Sequence, residues 1–266
     1  MGRKKKVEVT QVELLNDQSD QARDPLLEAK PKDAPEAGHA ERKHALLAPS
    51  SAKRWMACPG SVALSLKCPK PEDSAYAAEG THAHEVSEKI LSAWLLDDMD
   101  VLPAIEKYKH LFLNAEMEDC VVSYILTIGR LISGKTLDRI AIEKRFVLDA
   151  ELGIYGTADV AFKYKKAGKS IGVIVDLKYG QGVVVEADEN PQLACYGCAM
   201  DKDPEWGPFD TVYLYIFQPR AEHRDGPLRR MILDRDEIIE WRHQITGAGK
   251  AAINEIDSNA LTLNTG

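Results

Sequence analysis

Hydrophobic positions along the chain follow two periods, and the change from one to the other falls near Gly134. Upstream, Val86, Ile90, Leu91, Trp94 and Leu95 in "AEGTHAHEVSEKILSAWLLDD" recur at helical spacing and predict a helix with one apolar face. Before it, "LLAPSSAKRWMACPGSVALS" predicts a helix through Trp55, capped by Ser50 or Ser51 and stopped at "CPG", Cys58–Gly60. A further helix is predicted over 103–132, closed by Gly134.

Downstream the period is two. "RIAIEKRFVLD" (139–149), "IYGTADVAFKY" (154–164) and "SIGVIVDLKYG" (170–180) are rich in β-branched and aromatic residues, separated by "AELG" and "KKAGKS". Three strands with links this short predict an antiparallel meander. "NPQLACYGCAM" (190–200) reads as a helix with Pro191 in its first turn. "TVYLYIFQP" (211–219) is an almost unbroken apolar strand expected inside the sheet. A short strand over 227–233 and the amphipathic "DRDEIIEWRHQITGAGKAAINEI" close the pattern. The order predicts one α/β domain over 44–266 with a mixed sheet flanked by helices. Residues 1–43, rich in Lys, Asp, Glu, Ala and Pro, carry no usable periodicity and are expected to form a disordered tail.

Composition narrows the setting. Of the 266 residues, 44% are hydrophobic, enough for a real core. A net charge of −8 argues against nonspecific coating of nucleic acid, although a local basic groove remains compatible with it. No apolar run approaches the roughly 18 residues that a membrane helix needs. The opening "MGRKKKVEVTQVELLND" lacks an apolar signal region, and Lys6 stands where a myristoylation signal needs Ser or Thr. Five cysteines without a dense framework suit a reducing compartment, so a cytoplasmic protein is expected.

The candidate chemistry centres on "IVDLKYG", where Asp176 and Lys178 share one face of an apolar strand. Charges there are costly unless paired or bound to a metal, so the pair is either a structural ion pair or part of an active site. Asp159, in "GTADVAF", reaches the same region if its strand forms a hairpin with the next, and His84 lies on the preceding helix. Two carboxylates, an imidazole and a lysine suit a hard divalent cation acting on a phosphodiester.

In this order the motifs resemble the PD-(D/E)XK nuclease superfamily, specifically its RecB-like exonuclease branch. Those motifs are "GTAD" (Gly156–Asp159), "IVDLK" (Ile174–Lys178) and "NPQLACYG" (Asn190–Gly197). Gly80 and His84 match the branch's "G-x-x-x-H" helix, and Gln192, Leu193 and Tyr196 match its "Q-L-x-x-Y" helix. "EGTHAHEVSE" with "DLKYGQGVVVEADENPQLACYG" is closest to a prophage-borne domain family of unknown function within that branch.

The resemblance implies a restriction-endonuclease-like core and a Mg²⁺- or Mn²⁺-dependent deoxyribonuclease, with phage recombination or DNA processing as its setting. DNA and phage recombination proteins are the implied partners. Lys178, Asp176 and Asp159 become catalytic. Asp159, Asp176, His84 and the Leu177 carbonyl become metal ligands. Gln192 and Tyr196 become supports or DNA-backbone contacts, and Glu143 in "IEKRF" a secondary acidic candidate. His82, two residues before His84, should face away from the sheet, while Glu88, one turn on, is positioned to hydrogen-bond His84. Lys53, Arg54, Lys144, Arg145 and the arginines of "PRAEHRDGPLRR" are candidate phosphate contacts.

One departure concerns the iron–sulfur cluster that many members carry. Cys58 matches its first ligand, but no trailing cysteine set follows, so a cluster is not supported by the sequence. Cys195 and Cys198 are expected to pack a helix. The competing reading is a catalytically inactive nuclease-fold DNA-binding or accessory subunit, and the joint presence of Asp159, Asp176 and Lys178 favours the enzyme.

Overall fold

The structure is a computed structural model, and it describes residues 5–6, 45–69 and 74–258. Its centre is a mixed sheet in the order β1-β2-β3-β4-β5-β6. The strands are β1 (Lys5–Lys6), β2 (Thr136–Asp149), β3 (Ile154–Lys166), β4 (Lys169–Leu177), β5 (Thr211–Phe217) and β6 (Leu228–Asp234). β2, β3 and β4 form the expected antiparallel meander, β5 joins β4 in parallel, and β6 returns antiparallel. β5 lies between β4 and β6, inside the sheet as expected; Val212, Leu214 and Ile216 are buried on one face, while Thr211, Tyr213 and Tyr215 on the other are half-buried. Lys5–Lys6, within the expected tail, pair with Thr136 and Leu137; the rest of that tail lies outside the described residues.

Helices cover both faces. One face carries α1 (Ala52–Ala57), α2 (Gly60–Lys67), α6 (Pro191–Lys202) and α7 (Arg235–Ser258), around Trp55, Phe146 and Trp206. The other carries α3 (Ala75–Leu95), α4 (Val101–Tyr108) and α5 (Ala115–Ile132), around Ile90, Tyr124 and Phe162. Side-chain caps start three of them: Ser74 accepts from Ala77 N, Asn114 from Met117 N, and Asn190 from the amides of Gln192 and Leu193.

Two expectations need correction. The helix expected over 103–132 is broken at 109–114, because the Asn114 side chain caps a new helix inside what reads as a continuous apolar pattern. Ser51 stands at the start of α1 without capping it; its hydroxyl donates to Ala48 O instead. "CPG" does end α1, but α2 begins at once from Gly60.

The alternation of β2 and β3 contains a paired break. Ala141 and Ala161 face the α6 side while Ile142 and Val160 face the α3 side, as a pleat requires. Beyond them Phe146 and Ala158 face the α6 side again, although strict alternation from Ile142 and Val160 would turn them the other way. One extra residue in each strand, Glu143 opposite Asp159, absorbs the phase change. The register is therefore conserved across the break, from Ile142↔Val160 to Lys144↔Ala158. Glu143 takes a left-handed backbone, φ 50°, unusual for a non-glycine residue inside a strand.

Close approach fixes one glycine. A Cβ on Gly156 would lie 2.7 Å from Tyr196 Cε1 and 2.8 Å from Pro49 Cγ. Gly156→Ala is expected to lower stability by about 1–3 kcal/mol through overpacking. The check is chemical denaturation, in which the midpoint should fall without a change in m.

Candidate metal centre

The paired break gives the site its position. At Glu143 and Asp159 the pleat turns two successive residues toward the helix α3, where His84 points back at the sheet. His84 Nδ1 lies 3.3 Å from Asp159 Oδ1. Ligand atoms of His84, Glu143 and Asp159 all fall within 4.8 Å of one another. Glu143, a secondary candidate from sequence, thus stands at the centre, placed there by a backbone conformation invisible in the residue pattern. His82 turns away, 2.8 Å from Leu111 O, as its offset of two from His84 requires. Glu88 lines the same cleft with Tyr124 and Ser87, but no hydrogen bond joins it to His84.

Asp176 and Lys178 approach from the opposite face. The β3–β4 ladder ends at Val160↔Val175, so the next pair, Asp159 and Asp176, sits where the strands part. Asp159 Oδ2 accepts the Leu177 amide at 2.6 Å, which fastens β3 to the end of β4. Lys178 Nζ lies 2.8 Å from Asp176 Oδ2 and donates to Gln192 Oε1 at 3.0 Å. The Gln192 amide nitrogen then reaches Asp176 Oδ1 at 3.3 Å and Tyr196 Oη at 3.2 Å. Gln192 therefore spans both members of the ion pair, and Tyr196, one turn on along α6, braces Gln192.

The electrostatics are those of crowded anions. Burial pushes the Asp176 carboxyl up, the neighbouring Asp159 adds to it, and the Lys178 ammonium only partly offsets them. Burial works against the charge on Lys178, but Asp176 and Asp159 outweigh it and raise the lysine above its ordinary value. Burial would raise Asp159, yet His84, the Leu177 amide and Lys178 hold it below the carboxylate range. Burial would lower His84; Asp159, Glu143 and Asp176 overcome that and raise it to about 9.

The donor set fits a hard divalent cation. Two carboxylates and one imidazole, those of Glu143, Asp159 and His84, converge at the parted strands, an oxygen-rich arrangement of the kind Mg²⁺ and Mn²⁺ prefer, while Asp176 stands outside that group, paired with Lys178. Asp176 Oδ2 is enclosed and ion-paired with the Lys178 ammonium at 2.8 Å. A buried carboxylate is costly unless a cation accompanies it, and for Asp176 the ammonium supplies that charge.

Other sequence candidates fall elsewhere. Cys195 and Cys198 are buried on α6, and Cys198 Sγ contacts Ile238 O. Arg145 stacks on Tyr155, 3.9 Å from its ring centre. In "PRAEHRDGPLRR", Arg220 and Arg229 are scaffold rather than surface. Arg220 lies over Tyr179 and pairs with Glu79 and Glu116, so one guanidinium joins α3, α5 and the segment after Lys178. Arg229, 5% exposed, donates to Val185 O and Gln218. No sequence signal marked either, because an arginine buried by partners as distant as Val185 for Arg229, or Glu116 and Glu79 for Arg220, looks like any solvated one.

With His84 raised to about 9, a cation binding there at neutral pH would have to displace its proton. Mn²⁺ affinity is expected to rise roughly tenfold per pH unit toward about 9, and His84→Gln should flatten that slope in calorimetric titrations. The stability effect has the opposite direction. With the folded value at about 9 above the ordinary 6.5, the contribution is complete below 6.5 and is lost as pH rises through 9.

Among solved structures, a protein from Eubacterium rectale provisionally named an exonuclease is 11% identical, with a TM-score of 0.43. That match covers 82% of this chain and 84% of the other. A second, SSO0001, is 13% identical with a TM-score of 0.22, covering 74% and 83%. Likenesses this loose carry no functional argument, and no helix of the described residues is long and apolar enough to cross a membrane. Residues 44–260 match the family described as "Protein of unknown function (DUF2800)", and the chain belongs to that family.

Proposed function

We propose that this chain is a metal-dependent nuclease hydrolysing phosphodiester bonds in DNA, acting as an exonuclease in phage or prophage recombination or DNA processing. The observation that carries the reading is the convergence of His84, Glu143 and Asp159 ligand atoms within 4.8 Å, beside the buried Asp176–Lys178 pair. A structural ion pair would need neither the imidazole nor the strained Glu143 backbone, which is the sort of local cost that clusters at functional sites.

His84, Glu143, Asp159 and Asp176 would hold Mg²⁺ or Mn²⁺, with the Leu177 carbonyl as a further oxygen donor. Such a cation, when bound, lowers the pKa of a coordinated water and offsets charge on a phosphoryl oxygen. The Asp176 and Asp159 carboxylates raise Lys178 in the metal-free protein, so we assign it the role of a positive charge rather than a base. Its ammonium faces the negative charge that grows on the phosphate as water attacks phosphorus and the bond to the leaving oxygen breaks. Gln192 and Tyr196 keep that ammonium from swinging away. Gly80 and Gly180 both border open space, where a Cβ would meet nothing within 4 Å. Internal packing asks for glycine at neither.

The test is degradation of end-labelled linear and closed circular DNA in Mg²⁺, Mn²⁺ or EDTA. Metal-dependent loss of the linear substrate is expected, with Lys178→Ala slower by about 10²–10³-fold. Asp159→Asn and Glu143→Gln should lose both cleavage and Mn²⁺ binding. Cleavage of the circle would make the protein an endonuclease. Failure of folded, metal-loaded protein to cut either substrate would overturn the nuclease reading.

A further inference from the structure

The break that turns Glu143 and Asp159 toward α3 also sets the direction of every residue beyond it. Phe146 and Leu148 pack on the α6 side, so Arg145 and Val147 share the α3 side with Glu143. On β3, Tyr155 and Thr157 take that side with Asp159 by the same alternation, opposite Val147 and Arg145. Val147 is 42% exposed, so no helix roofs this end of the face. The outer part of the β2–β3 hairpin therefore runs from the metal centre out to solvent.

Arg145 is the cation on that stretch, and its donors are unspent. Its guanidinium carbon lies 3.9 Å from the centre of the Tyr155 ring, so the ring holds the fork in one place. Nε is enclosed and has no hydrogen-bond partner, and among the described residues no carboxylate forms an ion pair with the side chain. The acids on the same face are committed elsewhere. Glu143 and Asp159 belong to the cation site, and Asp149, at the far end of β2, accepts the Leu152 amide. Glu88 lines the cleft around Ile142 and Glu143, whose walls do not include Arg145. A buried donor without an acceptor is costly, and native proteins leave few of them. A guanidinium held on a ring matches a phosphate, because its planar fork meets two phosphate oxygens at once.

We propose that Arg145, held on Tyr155, binds the DNA-backbone phosphate next to the one at the metal centre, with the Thr157 hydroxyl beside it as a second donor. Two residues of strand separate Arg145 from Glu143, about 7 Å, which is the reach of roughly one nucleotide of extended backbone. The contact positions the DNA without reading its sequence. The inference rests on the nuclease reading for the identity of its ligand, and adds to it the residue that fixes where the backbone lies.

The experiment measures binding rather than cutting, with the full chain carrying Lys178→Ala and loaded with Mn²⁺. The probes are short fluorescent DNAs, double- and single-stranded, followed by anisotropy over a range of salt. Arg145→Gln should weaken binding about three- to tenfold, equally for unrelated sequences, and lower the slope of log affinity against log salt by about one. Arg145→Lys should keep the slope and lose part of the affinity, because the charge stays while the stacked fork goes. Calorimetric Mn²⁺ affinity should fall in neither variant. Unchanged affinity and slope in Arg145→Gln would overturn the proposal even if the protein cuts DNA. Loss of Mn²⁺ binding together with DNA binding would overturn it too, and make Arg145 a brace of the metal centre. Mn²⁺-loaded protein that binds neither form of DNA would overturn it as well. Binding that depends on Arg145 in a protein whose wild type never cuts would uphold it while the nuclease reading fails.

Discussion

The carboxylate of Asp159 is the interaction on which the rest of the site depends. One oxygen accepts the Leu177 amide and so holds β3 against the end of β4; the other faces His84 and so holds the helix α3 against both. A buried carboxylate with an amide and an imidazole as partners is a strong electrostatic tether, because hydrogen bonds to ionised groups contribute roughly twice what neutral ones do. It also defines where the strands part. Beyond this point the sheet stops being a continuous ladder and becomes two strand ends with acids on them.

Around that tether the protein concentrates charge in a way that is unfavourable without compensation. Asp176 and Lys178 come from the α6 side, Glu143 and His84 from the α3 side, and each raises or lowers the others. Breaking a buried ion pair by removing one partner ordinarily costs about 3–5 kcal/mol, so the surroundings must hold these groups in place. Gln192 bridges the pair from α6, and the Arg220 guanidinium ties the first turns of α3 and α5 to Tyr179. Both devices act through long-range contacts, and both set the distance between the element carrying His84 and the one carrying Lys178. On the far side of the sheet a similar economy holds Asp201 between Arg235 and Arg242, locking α6 to α7.

Much of this was legible in the residues. The strands of the meander, the place of β5 inside the sheet, the helix carrying Gln192 and Tyr196, and the shared face of Asp176 and Lys178 all follow from period and turn chemistry. What could not be read has a common cause. The break at 109–114 depends on one asparagine whose cap competes with an apolar pattern that runs straight through it. Glu143 entered only as a secondary candidate implied by the resemblance, and its place beside Asp159 depends on a left-handed residue opposite an equal irregularity in β3. Arg220 and Arg229 looked like surface because burial of an arginine depends on partners far along the chain. Local sequence carries period and propensity; it does not carry phase errors that cancel between two strands.

That cancellation has an evolutionary side. Because β2 and β3 each take one additional residue at the same level, the strands on either side stay in step and the hydrophobic faces above and below are unaffected. A deletion in one strand alone would shear the pairing and turn core residues to solvent. Matched deletions of Glu143 and Asp159 would leave an uninterrupted pleat with every apolar side chain still facing inward. The scaffold and the acids are thus separable by a short mutational path, so descendants of this fold could discard the chemistry while keeping the architecture.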